Sequence, residues 1–175
     1  MAQLISGRNL ILFFREYDKR NEEDASRLKF QTEHTMSFGK DVEGVLTKDG
    51  IINTITDAES TADITSKAYI DDEEVITTWE ILEEMYHRDA KVEVWEVDIT
   101  RASPDNLEVN PTYYQGYFSN YEVSAPADGE VELSYTFNID GKGVKGTDTL
   151  TAEQLSAIQS TLYVYESLKA TGAGA

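Results

Sequence analysis

Residues 28–38, LKFQTEHTMSF, alternate in polarity. Leu28, Phe30, Thr32, His34, Met36 and Phe38 share one face; Lys29, Gln31, Glu33, Thr35 and Ser37 share the other. A period of two is the mark of a strand buried on one side. Val131–Ile139 (VELSYTFNI) repeats the pattern, with Val131, Leu133, Tyr135, Phe137 and Ile139 set against Glu132, Ser134, Thr136 and Asn138. Two such segments, far apart in the chain, predict a sheet with an apolar and a polar face.

The neighbouring segments extend this sheet. Val42–Thr56 reads as a strand, a turn at Lys48-Asp49-Gly50 and a second strand, since Asp-Gly is a hairpin signal. Ala62–Ile70 is a further strand. Asn9–Glu16 and Val92–Ile99 are short apolar runs, and Tyr113–Ser124 is a Tyr-rich strand. Thr100–Pro111, with prolines at both 104 and 111, reads as a loop. Two stretches change period. In Glu73–Arg88, Val75, Trp79, Leu82 and Tyr86 fall at helical spacing, with Asp71 or Asp72 as the cap. Thr151-Ala152-Glu153-Gln154 is a capping box, after which Leu155, Ile158, Leu162 and Tyr165 form one face and Gly172 a stop. The expected class is α+β and β-dominated, a β-sandwich or partial barrel with helices on its flank. With no internal repeat or linker, residues 1–175 read as one domain, with a folded core over 9–168 and flexible arms at 1–8 and 169–175.

Fifteen basic residues face 33 acidic ones, a formal charge of −18. Such a surface repels phosphate backbones and anionic membranes, which argues against nucleic-acid binding by counterion release. Cation binding, a basic protein partner, or a surface that does not stick to nucleic acid remain open. Without cysteine there is no disulfide, thiolate metal site or thiol nucleophile. Met1–Arg8 is short and polar, unlike a signal peptide, and no apolar run approaches the ~20 residues that span a bilayer. The expectation is a soluble chain made in the cytoplasm.

Chemical motifs are weak. Gly141-Lys142-Gly143-Val144-Lys145-Gly146 has the GxGxxG spacing, but no helix opens on its last glycine and no strand follows to complete a dinucleotide site; it reads as a connector. Asp71-Asp72-Glu73-Glu74 reads as a charged helix start rather than a cation site. His34 and His87 are the only histidines and lack metal-ligand spacing; His34 reads as a packing residue. There is no G-x-S-x-G elbow, and nothing singles out two catalytic carboxylates among 33 acids. The aromatic strand with Tyr113, Tyr114, Tyr117, Phe118 and Tyr121 reads as buried on both sides, in the core and at a subunit contact. No catalytic, cofactor or metal residue is assigned.

Lys29–Asp41 (KFQTEHTMSFGKD), Thr47–Gly50 (TKDG), Val92–Asp98 (VEVWEVD), Tyr113–Glu122 (YYQGYFSNYE), Asn138–Gly143 (NIDGKG) and Leu150–Gln154 (LTAEQ), in this order, resemble the major tail protein family of siphophages and their prophages. The resemblance covers roughly residues 4–155 and rests on the segments together. It implies a virion structural protein and not an enzyme. Its copies would form hexameric rings that stack into the tail tube, through which genome DNA passes during ejection. Implied partners are further copies, a tape-measure protein, and tail-tip and terminator proteins. On this reading Gln31, Glu33, Thr35 and Ser37, with Glu132, Ser134, Thr136 and Asn138, line the lumen. Lys29 is the single nearby cation, the acidic helix lies outside, and Lys48, Asp49 and Gly50 contact the next ring. The alternative is a monomeric acidic β-sandwich that binds carbohydrate or calcium.

Overall fold

The computed structural model describes residues 2–159. In chain order the elements are β1 (Leu10–Glu16), β2 (Ser26–Arg27), β3 (Gln31–Thr47), β4 (Gly50–Lys67), α1 (Thr78–His87), β5 (Val92–Asp98), β6 (Glu108–Val109), β7 (Thr112–Ser124), β8 (Glu132–Ile139), β9 (Val144–Lys145), β10 (Asp148–Thr149) and α2 (Ala152–Gln159). One antiparallel sheet runs in the order β2-β1-β5-β7-β8-β4-β3, with β9 added to β7. The Thr100–Pro111 segment, expected as a loop, contains β6, which pairs with β10.

The sheet curls into a partial barrel. Leu12, Phe14, Val92, Val94, Leu133, Tyr135, Phe137, Ala62 and Ile64 bury on its concave face. The far strand β3 reaches β5 and β7 across that core: His34 Nε2 lies 2.8 Å from Glu96 Oε2, and Phe38 stacks on Tyr114 with centroids 6.2 Å apart. Helix α1 joins this core through Leu82 and Met85. A second cluster, on the convex side of β1 and β5, unites Phe13, Val97, Val109, Leu150 and Leu155. Between β1 and β5, the buried Glu93 pairs with Arg15 at 2.8 Å and accepts a hydrogen bond from Tyr113 at 2.6 Å.

The opening segment departs from its reading at one end. Strand β3 begins at Gln31, not Leu28, because the chain turns at Lys29 and Phe30, where Phe30 takes φ 55°. A β-bulge follows: Gln31 pairs with Ser66 and Glu33 with Thr65, leaving Thr32 as the extra residue. One extra residue reverses the alternation. Gln31 therefore lies on the core face, where its Nε2 meets His34 Nδ1 at 2.7 Å.

Helix α1 is shorter than the periodicity predicts. Thr77 and Glu80 form a capping box, so the helix starts at Thr78 and Val75 and Ile76 are exposed ahead of it. The expected cap Asp71 instead accepts the Glu73 N–H in a local turn, and Lys29 Nζ binds Asp71 at 2.6 Å and Glu74 at 2.7 Å. The second helix does carry its box: Thr151 N–H donates to Gln154 Oε1 and Gln154 N–H to Thr151 Oγ. Leu162, Tyr165, Gly172 and the arm 169–175 lie outside the described residues. At the other end, residues 2–6 form no helix or strand.

A pH effect follows from the end of β1. Glu16 is 7% exposed and accepts two hydrogen bonds from Arg88, at 3.1 and 3.0 Å. The Arg88 bonds hold its pKa below the ordinary glutamate value, against the opposing effect of burial. A lowered carboxylate stabilises the fold above its unfolded pKa and loses that contribution as pH falls through its folded value. Arg88→Met is expected to remove about 1.5–3 kcal/mol at neutral pH and to raise the midpoint of acid unfolding. An unchanged acid midpoint by circular dichroism would reject this role.

Candidate functional site

The convex side of β3, β4, β8 and β7 carries no covering element among the described residues. Its side chains stand in cross-strand rows set by the ladder. Glu33, Thr65, Ser134 and Glu122 form one row. Thr35, Asp63, Thr136 and Asn120 form the next, followed by Ser37, Thr61, Asn138 and Tyr117. Lys67, Glu132 and Ser124 make a shorter row at the opposite edge. A bulge between Phe118 and Asn120 returns β7 to this face after Tyr117. With neighbouring strands ~4.8 Å apart, four strands make a polar surface about 14 Å across.

The face is electrostatically one-sided. Glu33, Asp63, Glu122 and Glu132 oppose one ammonium, Lys67. Lys67 Nζ is bound to Glu132 at 3.2 Å, and Thr136 donates to Asp63 at 2.9 Å. Lys29, expected as the nearby cation, lies in the turn before β3 and is instead bound to Asp71 and Glu74.

Seven of the eight residues expected on one polar face do share it; Gln31, beyond the bulge, does not. Sequence reading sets Thr65 and Lys67 against Ile64 but assigns neither them nor Thr61 and Asp63 to this shared face, though all four alternate with the buried Ala62, Ile64 and Ser66. It also misses Asn120, Glu122 and Ser124, whose parity is masked by the bulge. Tyr117, on the strand expected to bury one side in the core and the other at a subunit contact, is 45% exposed in the single chain, because the convex cover ends beside β5 and β9.

Beyond the body, residues 40–57 of β3 and β4 pair, among the described residues, only with each other, since β8 accompanies β4 only over Ser60–Lys67. They form a two-stranded arm reaching about 26 Å to its turn at ~3.3 Å per residue. Lys48 and Asp49 make the turn, with Thr47 paired to Gly50. Gly50 takes φ 129°, which other residues rarely adopt.

The Gly141–Gly146 segment leads into β9 rather than a helix. Gly143, at φ 77°, lies against Tyr114, where a Cβ would stand 2.4 Å from the ring. No helix among the described residues is long and apolar enough to cross a membrane.

A curled sheet with one sealed face and one hydrophilic face left bare among the described residues defines a β-rich structural subunit. The chain belongs to the phage tail tube protein family, whose model matches residues 4–145. It is 28% identical over 165 residues to a tail protein of Staphylococcus phage phiMR25, covering 93% of this chain and 82% of that protein. Its fold matches the SPP1 tail tube with a TM-score of 0.68 at 15% identity, over 98% of this chain and 96% of that one. It also matches the tail of an empty gene transfer agent particle refined with C6 symmetry, with a TM-score of 0.57 at 10% identity over 86% and 100% of the two chains. A subunit of the sheath–tube complex of the extracellular contractile injection system PVC gives 0.55 at 8% identity over 86% and 95%. The protein is a structural subunit of a phage tail tube and belongs to the virion tail.

Proposed function

We propose that copies of this chain close into hexameric rings, and that the rings stack into a tube whose bore is the polar face of β3, β4, β8 and β7. The observation that carries this reading is that face itself, four strands wide and left bare while the opposite face is sealed. Ring closure also accounts for β3, an edge strand of 17 residues whose outer side pairs with nothing among the described residues. A long free edge is an aggregation hazard unless a neighbour takes it up. The sixfold symmetry of the gene transfer agent tail supports the ring size.

The bore would conduct DNA without holding it. Glu33, Asp63, Glu122 and Glu132 repel phosphates over about a Debye length, ~8 Å at physiological salt, and the lone Lys67 is already paired. Residues 1–175 act as one tail-tube domain, and the function is conductive rather than catalytic. Helix α1, on the sheet face away from the bore, lies outside. Partners at the tube's interior and ends are a tape-measure protein and tail-tip and terminator proteins, with synthesis and assembly in the host cytoplasm. The arm tip, Lys48, Asp49 and Gly50, reaches the next ring.

Concentrated protein viewed by negative-stain microscopy is expected to show hollow tubes with sixfold end views. A species that stays near 20 kDa at every concentration would favour a monomeric binding module instead. Removing residues 48–50 is expected to leave rings but abolish stacking; tubes of normal length from that variant would reject the arm's role.

A further inference from the structure

Among the described residues, two apolar surfaces stand uncovered at opposite ends of β4. At its start is the arm, where Val42 pairs with Ile55 and Leu46 with Ile51, placing four aliphatic side chains on one ribbon face, each more than half exposed. At its end Lys67 leads straight into the loop 68–77, which displays Ile70, Val75 and Ile76; Val75 is fully exposed. Twelve residues of strand, 56–67, separate the two surfaces by roughly 40 Å.

The loop is held in place. Lys29 Nζ clamps Asp71 and Glu74 at 2.6 and 2.7 Å, Trp79 Nε1 donates to the Tyr69 carbonyl at 2.9 Å, and the Phe30 ring meets the Tyr69 ring edge-on at 5.3 Å. Scattered exposed aliphatics are ordinary, but several presented together by a fixed scaffold mark a contact surface.

We infer that the aliphatic face of the arm seats on the 68–77 loop of a second copy, a pairing that rests on the tube reading above and supplies the arm's receptor. Charge disfavours the pairing of two loops. The loop carries exposed Asp72 and Glu73, so two loops repel one another. Between Val42 and Ile55 the arm's aliphatic face carries no charge, and Lys48 at its tip, beside Asp49, can reach those acids. A contact between unlike patches at opposite ends of one strand is heterologous, so it repeats from copy to copy instead of closing as a dimer.

The chain has no cysteine, so introduced ones are unique. Leu46→Cys and Val75→Cys chains, assembled together and oxidised, are expected to give a covalent dimer on non-reducing gels. Each variant alone gives none, and the double variant gives a ladder. Val75→Asp is expected to cut tube yield about tenfold or more while monomer unfolding is unchanged. Tubes that need the arm but yield no more link between these positions than between Leu46→Cys and a Glu153→Cys control would overturn the receptor alone. Tubes that form without residues 48–50 would overturn the arm's role, and failure to form tubes at all would overturn the tube reading and this pairing with it.

Discussion

Alanine at Gly116 is expected to destabilise the protein by about 3 kcal/mol and to shift the urea midpoint down in proportion. Gly116 sits mid-sheet, paired with Val92 on one side and Ile139 on the other. A Cβ there would stand 1.8 Å from the Asn138 carbonyl oxygen, 2.9 Å from its carbon and 3.1 Å from the Phe137 ring. Two of those three neighbours are backbone, so no side-chain rotation relieves the clash; β7 and β8 must part. Since β7 and β8 carry half of the polar face, the loss extends to assembly. Gly7 is the control: nothing lies within 4 Å of the position a Cβ would take there, and Gly7→Ala should change stability by no more than about 0.5 kcal/mol. Equal midpoints for the two variants would show that β7 and β8 do not approach each other as described.

Paired Glu33→Arg and Glu132→Arg substitutions are expected to slow DNA ejection about tenfold or more at physiological salt, with the delay shrinking as salt rises. Glu33 has small or polar neighbours, and Glu132→Arg exchanges the exposed Lys67 pair for a like-charge one, so folding should lose no more than about 1 kcal/mol. The exchange leaves Asp63 and Glu122 against Lys67 and two arginines, turning the face from acidic to basic. Each arginine can pair bidentately with a phosphate, and the effect repeats in every subunit the DNA passes. Glu33→Gln with Glu132→Gln separates the two contributions: it removes repulsion and adds no new cation, freeing only Lys67 from its pair, and should have a smaller effect. Ejection kinetics unchanged by the arginines, in tubes of normal length, would reject the bore assignment.

Most elements are legible because each has one dominant local signal. The alternation in Val131–Ile139 needs no partner to be read, and β8 is buried and open at alternate residues over its whole length. The Thr151–Gln154 box is equally local. The misread features are those where a local signal meets a competitor elsewhere. The helical spacing of Val75 with Trp79 is real, but Lys29, distant in sequence, captures Asp71 and Glu74, and the box at Thr77 starts the helix later. Val42–Thr56 reads as a hairpin, yet nothing local shows that its strands continue from the body's own as one projecting arm.

Which residues could share a face was settled along the chain, because strand alternation is a property of the backbone. Which faces exist was settled by packing alone. A bulge of one residue sent Gln31 to the core, strand pairing brought Asp63 and Lys67 of β4 onto the polar face between β3 and β8, and curling of the sheet sealed one side while leaving the other bare. Burial is a collective property of packed strands, and no segment states in its own residues which of its sides will be covered.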